Sequence, residues 1–289
     1  TDELKAAHPD LCGTAVTIRC DIKRKQVEAM ASNHDWQPAA RASINLIREC
    51  ATDSQTANRI DEVFYNAAIY YEAAHLLGRA IRVRKALIQR FPNSEWSKRA
   101  LFLVGANYHA LAIYSNAADY YEQFATRFPG ETGTHCTDEE RTAGTCANAV
   151  EALQNAVFFR LGLGDPDKAI DDAHLFERNY GPRAPAANRR LQDSATVIFS
   201  LGTIYQNAHD WNHVVSHYHD WLRTYGRTAM PNQVLSANML QAHAFIEQHN
   251  ENNAAPFLNT VVHDWGDGAR VTERINGADG MSDEAKAIA

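Results

Sequence analysis

LFLVGANYHALAIYSNAADYYEQFATRFP, residues 101–129, decides the fold. Leu101, Val104, Gly105, Tyr108 and Leu111 recur at steps of three and four, which puts them on one face of a helix. After a break at Tyr114-Ser115-Asn116, a second such face runs through Ala117, Tyr120, Tyr121 and Phe124. Pro129 ends it, because proline has no N–H to donate and its ring clashes with the preceding turn. The cap-like Asn93-Ser94 marks the start of the first helix. The stretch is one helix–turn–helix unit.

The unit recurs. Residues 64–92 overlay it at a constant offset of 37, with Tyr71 on Tyr108, Ala80 on Ala117, Leu87 on Phe124 and Phe91-Pro92 on Phe128-Pro129. His34-Asp35-Trp36 returns as His209-Asp210-Trp211. A period of about 35 residues means stacked helix pairs, each burying its apolar face only against its neighbours. We place six pairs at residues 14–50, 58–91, 96–128, 148–180, 192–225 and 233–265.

Leu101, Val104-Gly105, Tyr108, Ala117, Tyr121, Phe124 and Pro129 together resemble the tetratricopeptide repeat (TPR) consensus. Val104 stands where Leu is usual, and Phe124 where a small residue is usual. Leu201-Gly202 and Tyr205 repeat the first half, with Val214 in place of the small packing residue and Gly226 in place of the terminal Pro. The resemblance implies an all-α fold, a right-handed TPR-like α-solenoid of about six antiparallel helix pairs. It spans residues 1–265, with a cysteine-containing insertion at 130–147. Residues 266–289 are left as a polar tail or a capping segment, with a short helix around 282–288 as one option. The Arg90-Phe91-Pro92-Asn93-Ser94 join and the Tyr-rich second helices are similar to periplasmic TPR proteins of Gram-negative envelopes.

Composition narrows the function. Of 289 residues 45 % are hydrophobic, enough for a sizeable core, and 28 basic side chains against 35 acidic ones give a net charge of −7. That balance argues against general nucleic-acid binding. No apolar run approaches the roughly 20 residues of a membrane span. The chain opens on Thr1-Asp2-Glu3-Leu4, which we read as a processed form or a fragment.

Five cysteines, Cys12, Cys20, Cys50, Cys136 and Cys146, allow two internal disulfides and one thiol. Cys136 and Cys146 close the polar insertion. In an antiparallel hairpin Cys20 and Cys50 come side by side, with Cys12–Cys20 as the rival pairing. Disulfides imply an oxidising compartment, so we expect a periplasmic or otherwise extracytoplasmic protein, in one version associated with the outer membrane.

Catalytic signatures are missing. There is no Gly-x-Ser-x-Gly and no Walker loop, and Gly162-Leu163-Gly164 lacks the third glycine of a dinucleotide fingerprint. We expect no cofactor. His213 and His217 share a helical face in the His-rich segment 209–219, so an enzyme or metal-binding protein is one alternative. A module associated with lipid or peptidoglycan is another, with Arg79, Arg82 and Arg90 as its basic contact face. The main reading is a non-catalytic scaffold for a protein or peptide partner, with a membrane-associated complex as one setting for it. By match to the groove-facing positions of the TPR pattern, its contact residues are Tyr65, Ile69, Glu72, Phe102, Ala106, His109, Phe199, Thr203 and Gln206.

Overall fold

The computed structural model describes residues 9–142, 144–277 and 286, with residues 9–12 described by backbone alone. Every element among them is helical, apart from one isolated bridge between Thr132 and Asn148. The chain forms two compact units: Thr1–Phe124 with Gly133–Ala147, and Ala125–Thr132 with Asn148–Ala289.

In the first unit α1 (Pro9–Ser32) pairs with α2 (Trp36–Glu49). The short α3 (Ser54–Ala57) leads to the pair α4 (Ile60–Ala73) and α5 (Leu77–Arg90), followed by α6 (Glu95–Ala110) and α7 (Tyr114–Arg127). The insertion carries α8 (Asp138–Thr142). The second unit holds α9 (Ala149–Leu163) with α10 (Pro166–Tyr180), then α11 (Leu191–Ser200) and α12 (Gly202–Asn207), which act as one broken helix paired with α13 (Trp211–Tyr225). Next come α14 (Pro231–Glu247), α15 (Glu251–Trp265) and α16 (Gly268–Asn276). The six pairs stand where the sequence places them. Helix α16 continues past Trp265; the capping helix expected around 282–288 lies outside the described residues, Lys286 apart.

One local device builds all six hairpins. His34, His75, Ala112, Gly164, His209 and His249 have φ between 53° and 72°, and each sits two residues before the second helix of its pair. The N–H of each such residue bonds the carbonyl three back, as His75 does to Glu72 at 2.8 Å. The next N–H bonds the carbonyl five back, as Leu76 does to Tyr71 at 2.8 Å. This is the Schellman C-cap, which satisfies the last carbonyls of one helix and reverses the chain in two residues. Asp165 and Asp210 then cap the following helix by accepting from the N–H of Lys168 and His213.

Small residues let the paired helices close. Ala80 and Ala117 are fully buried. A methyl group on Gly105 would lie 2.7 Å from the Tyr121 ring, and one on Gly202 would lie 2.2 Å from the Tyr218 hydroxyl. The core of the second unit centres on Val214, Tyr218, Trp221 and Tyr225, with the Trp221 indole donating to the Ala195 carbonyl at 2.8 Å.

Both disulfides belong to the first unit. Cys20–Cys50 ties α1 to the end of α2 beneath Leu46 and Val16, and Cys136–Cys146 closes the insertion. Cys20 is therefore partnered by Cys50 rather than Cys12.

Candidate functional site

Helices α4 and α6, the first helices of adjacent pairs, meet along a line that carries Tyr65, Ile69 and Glu72 of the predicted contact residues. At one end the Tyr65 and Trp96 rings lie 4.8 Å apart. Both are half-buried, and burial pushes the Tyr65 phenol above its ordinary pKa, opposed by nearby Arg99. Ile69, also half-buried, occupies the next turn of α4. At the other end Glu72 accepts from the Asn107 amide at 2.6 Å and from the Arg84 guanidinium at 2.5 Å. Arg84 is fully buried and also donates to Asn107. Both oxygens of Glu72 are thus engaged, which holds α4, α5 and α6 in register.

Arg99 marks the edge of this surface. Its guanidinium lies 5.9 Å from the Trp96 ring centre and pairs with Glu140 of α8 at 3.4 Å. Arg141 of the same short helix donates to the Gly133 carbonyl at 2.8 Å. The disulfide-closed insertion is therefore pinned beside the Tyr65–Trp96 pair, with Asp138 and Glu139 exposed on it.

Not every predicted residue belongs here. Phe102 is 3 % exposed and packs against Tyr121 and Phe124, with ring centres 5.6 and 5.4 Å away. It is a core residue of the α6–α7 hairpin and does not present its ring to a partner. His109 is exposed at the end of α6, near the rings of Tyr114 and Tyr121. Phe199 and Gln206 lie in the second unit. Phe199 leans on Tyr218 and Trp221 at 5.0 and 5.1 Å, and Gln206 donates to the Tyr218 hydroxyl at 2.9 Å.

The basic helix is α5. Arg82 and Arg90 are exposed, Arg90 lying over Phe64 at 5.3 Å, and the half-buried Arg79 lies over Tyr71 at 5.8 Å. Arg79 and Arg82 are neighbours; Arg90 stands about 12 Å beyond Arg82, at 1.5 Å per residue. The His-rich segment is dispersed. His213 bonds Asp210 and stacks on Tyr205, His217 is turned inward, and His219 is exposed. Among the described residues no three His, Cys, Asp or Glu side chains converge as metal ligands.

Trp96, Arg99, Asn107 and Arg84 are contributors that the sequence reading passed over. For Arg84 a signal existed, because Ala80, Ile81, Arg84 and Leu87 form one stripe that is buried throughout.

The helix pairs are TPR-like. No family model matches the sequence, and no curated protein matches it. Solved structures with a similar trace include the MamA protein, at 11 % identity over 78 % of this chain and 98 % of that one, with a TM-score of 0.45. Another is YrrB, described as a TPR protein with an unusual peptide-binding site, at 12 % identity over 74 % and 91 %, TM-score 0.40. PilF of Pseudomonas aeruginosa matches at 9 % identity over 90 % and 97 %, TM-score 0.34.

Proposed function

We propose that the chain is a non-catalytic scaffold that binds a protein or peptide partner on the α4–α6 surface, as a subunit of an extracytoplasmic, envelope-associated complex. The observation that carries this reading is the Tyr65–Trp96 pair. Two large, half-buried rings sit against a rigid helix junction, with a guanidinium at their edge. Aromatic anchors with an adjacent Arg are the chemistry that dominates binding energy at interfaces. The partner segment this suits offers an apolar or aromatic anchor for the rings and hydrogen-bond acceptors toward Arg99.

Two disulfides support an oxidising compartment, and the periplasm is the version of it we favour. No described helix is long and apolar enough to cross a membrane.

Photo-crosslinking in the native cell tests the site. A crosslinking residue at Ile69 should capture a partner, and one at Arg82 should not. Against the captured partner, Tyr65→Ala and Trp96→Ala should each lower affinity at least fivefold with little salt dependence, above about 1 kcal/mol. Adducts at Arg82 alone, with affinity falling steeply in salt, would place the partner on α5 instead.

A further inference from the structure

The hairpin turns of the second and third pairs break the pattern of the other four. The N-cap residue that opens the second helix is Asp35, Asp165, Asp210 and Asn250 in the first, fourth, fifth and sixth pairs. Those residue types favour a helix start because their side-chain oxygens can accept from its first N–H groups. The same position holds Leu76 in the second pair and Ile113 in the third. Neither side chain can cap, so these two turns forgo stability that the other four are equipped to gain. Leu76 at least packs against the cluster of Ala40, Ala68, Tyr71 and Ala80. Ile113 stays 42 % exposed, as does Leu111 before it, and Tyr114 after it is 41 % exposed.

The two turns lie side by side. Leu111 shares one open recess of about 550 Å³ with Leu77, Arg79 and Arg82 of α5, and no Asp or Glu lines it among the described residues. Between Glu72 and Asp119 the single acidic residue is Glu95, at the opposite end of α6 from Leu111. Glu72 itself is taken up by Arg84 and Asn107. The edge is thus apolar and cationic, in a chain whose net charge is −7.

Exposed apolar side chains in a group mark a surface for a membrane or for another protein. Large apolar residues standing on a turn tip suit a fluid layer that they can enter, and a Tyr among them suits the headgroup level. The guanidinium groups attract anionic headgroups while the negative remainder of the chain is repelled, which turns this edge toward the surface.

We infer that the turn edge of the second and third pairs docks on an anionic lipid surface, with Leu111, Ile113 and Tyr114 entering the headgroup boundary and Arg79 and Arg82 contacting the charged groups. The edge shares no residue with the α4–α6 surface, and lipid vesicles carry no protein partner, so either reading can fail without the other.

The test is sedimentation of the full, disulfide-bonded chain with vesicles of phosphatidylcholine and phosphatidylglycerol in equal parts, beside vesicles of phosphatidylcholine alone. The mixed vesicles should bind about tenfold more tightly or better, and added salt should weaken them. Arg82→Gln should cost about fivefold, the effect of one basic residue near a charged surface. Leu111→Gln, at an exposed position, should cost about threefold. Ile113→Asp separates docking from packing. It installs the residue type of the other turns, so it should raise the urea midpoint while lowering vesicle affinity about tenfold. Equal binding to both vesicles, binding to neither, or a lower urea midpoint with unchanged vesicle affinity in Ile113→Asp would overturn the inference. So would a protein adduct in the native cell from a crosslinking residue at Ile113 in a chain that ignores vesicles, which assigns the edge to a protein.

Discussion

Two glycines of similar sequence context have opposite physical roles. Gly105 faces the Tyr121 ring at a distance no Cβ tolerates, while a Cβ on Gly78 in α5 meets nothing within 4 Å. Gly105→Ala should therefore destabilise the protein by about 1–3 kcal/mol through overpacking. Gly78→Ala should stabilise it by about 0.5–1 kcal/mol, since alanine restricts the unfolded chain at no steric cost in the helix. Urea midpoints with unchanged slopes are the readout. His217 adds a pH signature. Its folded pKa lies below the unfolded value of about 6.5, so at higher pH neither state holds the proton and the residue contributes nothing. As pH falls through about 6.5 the unfolded chain takes up a proton that the folded chain resists, and stability drops. The loss between pH 7.5 and 5.5 should be smaller in His217→Gln than in the parent; equal losses would mean that the ring titrates normally in the fold.

At the scale of the element, the hairpin turn explains both what the sequence reveals and what it hides. Helix pairs were legible because their signals are local: apolar steps of three and four, the Ser94 cap and the terminal prolines all act within a few residues. The histidines were misleading for the same reason. His34, His75, His209 and His249 hold the left-handed turn position, a backbone role that a search for metal ligands does not anticipate. Arg84 hides in a run of basic residues because its partners Glu72 and Asn107 arrive from two other helices. Trp96 and Arg99 acquire meaning only when α4 and the disulfide loop lie beside them. The turn itself can be tested. Ala112 adopts φ 56° and Gly164 adopts φ 72° at equivalent positions. A Cβ in that region costs about 1–2 kcal/mol. Ala112→Gly should then raise stability by up to about 1 kcal/mol, and Gly164→Ala should lower it by about 1–2 kcal/mol. The same sign for both changes in a denaturation experiment would show that the turns are not equivalent.

Across the whole molecule the crosslinks are unevenly placed. Both disulfides lie in the first unit, and the described residues of the second are held by packing, hydrogen bonds and the buried Arg160–Asp172 ion pair, with no disulfide among them. Closing the 30-residue span between Cys20 and Cys50 removes about 3–4 kcal/mol of unfolded-chain freedom on the loop-entropy model, and the 10-residue span about 2–3 kcal/mol. In a stacked repeat array, stability is close to a sum of repeat and nearest-neighbour contributions, so a loss in one stretch need not reach distant pairs. Reduction should therefore lower amide-exchange protection chiefly in α1, α2 and the insertion, and leave α13 to α15 nearly unchanged. The α4–α6 surface would feel it indirectly, because Arg99 is held by Glu140 from inside the second disulfide loop. Partner affinity should then fall on reduction even in a chain whose helices remain folded, and Glu140→Gln should reproduce part of that loss without touching either disulfide. A uniform loss of protection in both units would instead mean that the chain opens as one cooperative body, and the affinity change would carry no information about the loop.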